Sequence, residues 1–127
     1  VADLPDKGQK DAQAAYAAAK AGHFVMPVDS AKRLAAASDK LIAGLEDEID
    51  ASDPLIHVTG FPDLPSGRAL AQGFGAKGQE YITTLKALKL VTMQNKAAWL
   101  AAGKLVEADA ANAAALKFSA QALEGNA

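Results

Sequence analysis

Apolar residues recur at helical spacing in two stretches of this chain, and a stretch rich in proline and glycine separates them. In residues 30–51, SAKRLAAASDKLIAGLEDEIDA, Leu34, Leu41, Leu45 and Ile49 follow at steps of seven, four and four. Ser38 fills the gap and Ile42 widens the stripe. Lys32, Lys40, Glu46, Asp47 and Asp50 lie on the opposite face. A polar face set against a stripe of this period predicts an amphipathic helix. The second stretch, about 67–123, has no proline. Steps of three and four lead from Tyr81 through Leu85, Leu88, Trp99, Val106 and Leu116 to Leu123, with Thr92, Asn95 and Asp109 as polar interruptions. Gly73, Gly75 and Gly78 crowd the beginning of this run, where bending or fraying is expected, and Gly103 is a second weak point. A helix of about 55 residues would be about 80 Å long, against about 33 Å for its predecessor. The run must therefore overhang its partner or break near Gly103.

Between the two helices, residues 53–66 form a turn. Pro54 disfavours helix at Asp53. Pro65 is suited to the first turn of the next helix, with Asp63 or Ser66 as its cap. Leu55, Ile56, Val58, Phe61 and Leu64 are too apolar for a freely solvated loop, and we expect them to cover the end of the helical pair. The chain reverses here, so the two helices become an antiparallel hairpin. The expected fold is thus all-α. Leu34, Leu41, Leu45 and Ile49 would face Leu85, Leu88, Trp99 and Val106. A hairpin of two helices encloses no core, so its remaining apolar face calls for another surface. These residues, with Tyr81, are the candidate interface. The alternative is a self-contained bundle of three or four helices.

Before the hairpin, residues 6–21 are alanine-rich and predict an additional N-terminal helix ending at Gly22. Its only large apolar side chain is Tyr16, so weak anchoring is expected. HFVMPVDS, residues 23–30, reads as a short extended piece, with Asp29 or Ser30 capping the following helix. The whole is read as one helical domain over residues 1–127.

Charge narrows the function more than it names it. Net charge is −2, which does not fit an electrostatic nucleic-acid binder. Residues 1–75 hold 7 Lys+Arg against 11 Asp+Glu, a net −4, and residues 76–127 hold 6 against 4, a net +2. The chain has no cysteine, which removes disulfides, thiolate metal sites and Cys nucleophiles. No stretch is apolar enough for a stable membrane span, and VADLPDKGQKD is not a classical signal peptide. His23 and His57 are the only histidines, and their spacing to carboxylates predicts no metal site. No HExxH, GxSxG or P-loop pattern occurs. The acidic run LEDEIDASD, residues 45–53, lacks the ligand spacing and central glycine of a calcium loop. It reads as a solvated face or as a docking patch for a basic partner. No catalysis and no cofactor are expected. Tyr81 and Trp99 read as packing residues, or as anchors in a partner-seeking hairpin.

FPDLPSGRALAQGF before a long helix, LVEADAANAAAL near the end, and GHFVMPVDSAKRLAAASDKLIAGL at the front resemble the small actinobacterial proteins of the WXG100/ESX superfamily. The similarity covers roughly residues 22–118. It implies a hairpin that pairs with a second hairpin into a four-helix bundle. It also implies a substrate of type VII secretion, or an escort of a larger effector. The partner would be a second helical hairpin protein, the N-terminal helical region of an effector, or a second copy. The chain would be cytoplasmic before export and then secreted or held in the cell envelope. Family export relies on a Tyr-xxx-Asp/Glu signal near the end of the last helix. The matching residues here are Leu105 and Asp109, with leucine in place of tyrosine. The Trp-x-Gly turn of the family is replaced by GFPDLPSG.

Overall fold

The computed structural model describes residues 4–126, with side chains to residue 122. Leu123, the last member of the apolar row, lies outside the described side chains. The described residues form four helices and no strand: α1 (Gln9–Lys20), α2 (Val28–Ala51), α3 (Pro65–Ala102) and α4 (Ala108–Asn126). A single 3₁₀ turn, Asp53–Leu55, begins the loop between α2 and α3. The all-α expectation holds, including the additional N-terminal helix. Among these helices none is long and apolar enough to cross a membrane.

Helix α3 is the axis, and α1, α2 and α4 each pack against it rather than against one another. Its antiparallel register with α2 is marked by Lys96–Asp39 at 2.7 Å and Lys89–Glu46 at 3.1 Å, one heptad forward on α2 and one heptad back on α3. Helix α1 runs parallel to α3, from Gly8 beside Val91 to Ala19 near Ala101. Helix α4 runs back antiparallel, with Ala108 near Leu100–Ala102 and Ala115 near Ala87 and Leu90.

The core is made chiefly of alanine. Ala12 and Ala19 of α1, Ala31 and Ala35 of α2, and Ala108, Ala115 and Ala122 of α4 are all buried, facing Ala87, Ala97, Ala98, Ala101 and Ala102 of α3. Leu4, Ile82, Leu85, Leu90 and Leu100 add the larger volumes. Small side chains let helix axes approach toward the short end of the usual 8–10 Å range. This is why α1, with only Tyr16 as a large apolar residue, is anchored after all. Gln94 Oε1, buried on α3, has no hydrogen-bond partner, and a carbonyl left in that state opposes folding by about 1–3 kcal/mol.

The run expected over 67–123 is two helices, and the break falls at Gly103. Leu105 N–H donates to Leu100 C=O (2.9 Å) and Lys104 N–H to Ala101 C=O (3.0 Å), the paired bonds of a Schellman cap. Lys104 takes the left-handed conformation, φ 57°, that this cap needs. Gly103 lies against Ala31, where a Cβ would collide with the alanine methyl. Helix α1 ends in the same way, with Gly22 at φ 83° and His23 N–H donating to Ala18 C=O (2.8 Å). There the left-handed residue is glycine, as its position in the sequence suggested. Met26 N–H donates to Ala102 C=O (3.0 Å), so the link between α1 and α2 also closes the end of α3.

The expected caps differ in detail. Pro27 precedes α2, placing Asp29 in its first turn without a capping bond. Leu64 precedes α3, with Pro65 first in the helix as expected, and Asp63 pairs with Arg68 instead of capping. The expected fraying at Gly73, Gly75 and Gly78 does not occur, since α3 is continuous through all three.

Lys104 is exposed and pays the steric cost of a Cβ at positive φ, about 1–2 kcal/mol. Lys104→Gly is expected to stabilise the fold by about 1 kcal/mol, read as a higher denaturation midpoint at unchanged slope.

Candidate interaction surface

Helix α3 is about 57 Å long and α2 about 36 Å, so the first turns of α3 project beyond α2. The loop after α2 lies along this projection. Gly78, Gly75 and Gly67 are buried, and the carbonyls of Leu55, Ile56 and Pro62 occupy the space where their Cβ atoms would stand. Only glycine admits a backbone this close. The loop is therefore strapped flat onto α3.

A backbone pressed that close leaves no room beneath it for large side chains. Leu55, Phe61 and Leu64 settle alongside and stay exposed, while Ile56 and Val58 are half-buried, so the end of the hairpin is covered only in part. Leu55 (46%), Phe61 (38%) and Leu64 (56%) from the loop join Leu70 (50%), Phe74 (55%) and Tyr81 (41%) from α3. Phe61 and Phe74 stack with ring centres 5.9 Å apart at 8°. A shallow apolar groove runs along Ala69, Leu70, Gly73 and Phe74. A second open groove lies between the loop, from Leu55 to Thr59, and Phe74, Gly78 and Tyr81.

Polar pairs lie around this patch and within it, where Lys77 lines both grooves. Arg68–Asp63 is 2.6 Å, Lys77–Glu80 is 3.2 Å, and Tyr81 O–H donates to Glu48 Oε1 at 2.9 Å. His57 lies 3.8 Å from Asp53. The hydrogen bond to the Glu48 carboxylate raises the Tyr81 pKa, so its hydroxyl stays protonated as a donor. An apolar centre with a polar rim is the anatomy of a protein interface. Contiguous exposed apolar area of this kind marks interaction sites.

The residues expected at the interface are distributed more widely. Leu85 is buried in the α2–α3 seam, and Leu45 and Ile49 are half-buried. Leu34 (40%) and Leu41 (54%) stand on an exposed shoulder. The seam at their end of α2 is Ala31, Ala35 and Ser38, because the close contact at Gly103 leaves no room for leucine. Leu88 is 37% exposed. Trp99 is half-buried, with Phe24 edge-on at 6.1 Å, so it closes the link between α1 and α2. Val106, expected to face α2, is 93% exposed in the turn after α3. The helix has ended before it can present Val106 to anything.

Leu105 and Asp109 do not share a helical face. Leu105 lies in the turn and packs against the core, while Asp109 is in the first turn of α4. Asp109 is instead engaged within the chain. Tyr16 O–H donates to its Oδ1 at 2.7 Å, and Lys20 Nζ does so at 2.9 Å. No local pattern points to this latch between α1 and α4, which spans 93 positions. Sequence reasoning missed the loop strap as well: Gly67, Gly75 and Gly78 share one helical face, a signal that could have located it, but glycines in this run suggested bending instead.

Among the described residues no group of three or more His, Asp or Glu side chains could hold a metal ion. His23 and His57 are both exposed and lie in different links. In comparisons with known proteins, no family model, no curated protein and no solved structure matches the chain.

The latch makes stability depend on pH at both ends. The Lys20 hydrogen bond, then that of Tyr16, lowers the Asp109 pKa. Its contribution is present above the ordinary carboxylate range and is lost as pH falls through the depressed value. Burial, then the bond to Asp109, pushes Tyr16 from 10.0 up to about 12. Its contribution is present below its ordinary value and is lost as pH rises toward 12. Asp109→Asn is expected to flatten the acid limb of the stability–pH curve measured by denaturant unfolding and to weaken the alkaline limb, which burial of Tyr16 still sustains. Identical profiles for the two proteins would remove the latch from the account.

Proposed function

We propose that this chain is a non-catalytic helical interaction protein, and that it docks a helical partner on the projecting end of α3. The observation that carries this reading is the apolar patch of Leu55, Phe61, Leu64, Leu70, Phe74 and Tyr81. The glycine strap holds the loop against α3 there, and ion pairs lie around and within the patch. The resemblance to the WXG100/ESX superfamily extends the proposal to a type VII secretion substrate, or to the targeting partner of a larger effector. Support for that extension is the hairpin with its Pro- and Gly-rich turn, which itself forms part of the patch. The break at Gly103 and the separation of Leu105 from Asp109 favour the escort role, with the mate carrying the export signal. On this reading the mate is a second hairpin protein or the helical region of an effector.

A second reading is a self-contained monomeric bundle, acting as a structural module or binding a small apolar ligand. One observation favours it: α1 and α4 cover faces of α3 that a bare hairpin would leave open.

Phe74 and Leu70 separate the two. Both are exposed in the free chain, so polar replacements there leave the alanine core untouched. Phe74→Asp is expected to weaken association with a co-expressed hairpin partner at least 10-fold in titration calorimetry, at unchanged helicity. Aromatic anchors at interface centres typically contribute about 2 kcal/mol or more. Unchanged affinity would move the docking site away from this patch, and no association of the unsubstituted chain would move the reading to the self-contained bundle.

A further inference from the structure

We propose that α4 is an exchangeable arm, and that two copies of this chain form a dimer by swapping it. Three observations converge. First, α4 packs against α3 alone, through Ala108, Ala115 and Ala122 and through the Phe118 ring under the Lys89 ammonium at 4.1 Å. Among the described residues its side-chain bonds to other helices are the two that Tyr16 and Lys20 make to Asp109. Every one of these contacts can be remade with the α1 and α3 of a second copy, because the surfaces are identical.

Second, the hinge is strained in the closed form. Lys104 is a non-glycine residue at φ 57°, exposed and held there by the cap that turns the chain back, together with the packing of Leu105 on the core and the Met26 N–H bond to Ala102 C=O. Opening the hinge releases that strain. Third, the helical row crosses the hinge without proline, through Trp99, Ala102, Val106 and Asp109. Residues 103–107 can therefore join α3 to α4 as helix. Val106 and Leu116, 93% and 61% exposed in the closed form, lie in that row rather than on the face that packs α4 onto α3. Two such open chains would lie antiparallel, each α4 on the other's α3, with a two-fold axis beside the hinges.

The chain lacks cysteine, so introduced thiols are unique. Lys89→Cys in one copy and Phe118→Cys in the other place the reactive pair across a swapped interface only. The two variants are unfolded, mixed, refolded at high concentration and treated with a short bis-maleimide. The expected result is a covalent heterodimer on denaturing gels. Its yield should rise several-fold when both chains also carry Lys104→Val, which opposes positive φ more strongly than lysine. It should fall several-fold with Lys104→Gly, which suits the closed turn. A yield independent of residue 104 would overturn the proposal. So would a dimer by light scattering with no cross-chain product, which would place the contact at the Phe74 patch instead. A monomer in all versions would overturn it too.

Discussion

Helix α3 can touch three other helices because the faces it turns to them are built from residues with almost no side chain. Ala102 and its neighbours meet Ala19, Ala35 and Ala108 where the four helices converge. Gly103 admits the methyl of Ala31 at the same level. At the other end, Gly67, Gly75 and Gly78 admit the loop backbone itself. Burying an alanine contributes less apolar area than burying a leucine, but close approach recovers dispersion contacts between the helix backbones. The fold depends on that closeness along the whole length of α3.

The same closeness explains the surface. Where backbones nearly touch, large side chains have no space between them and move to the flanks. Leu34 and Leu41 are displaced in this way from the α2 seam, and Leu55, Phe61 and Leu64 from beneath the strap. The apolar patch proposed as a docking site is thus a by-product of small-residue packing, made rigid by it. Rigid, pre-positioned aromatic residues bind at a lower entropic cost than residues ordered on contact.

How much of this was legible in the sequence follows from the size of the side chains involved. The amphipathic period of α2, the reversal at Pro54–Pro65 and the stop at Gly22 were readable, because each has a strong local cause. The helical row past Gly103 was readable as a period but not as two helices. Period reports which residues share a face, not whether a tertiary contact such as Ala31 makes a turn there worthwhile. Leucine stripes drew the eye to Leu34, Leu41 and Val106, while the seam is formed by alanines that hydropathy weights lightly. The joining of Tyr16 and Lys20 to Asp109 depends on α4 folding back, and no local pattern encodes it. In this form Leu105 and Asp109 do not share a helical turn, because the cap after α3 separates them.

The most direct test of the account is the stability of Ala102→Leu, measured by denaturant unfolding. Ala102 is fully buried where all four helices meet. Close packing of alanines predicts a loss of about 1–3 kcal/mol from overpacking. An unchanged or increased stability would mean that the helices stand far enough apart to accept a leucine, and would contradict the close alanine packing that joins the four helices.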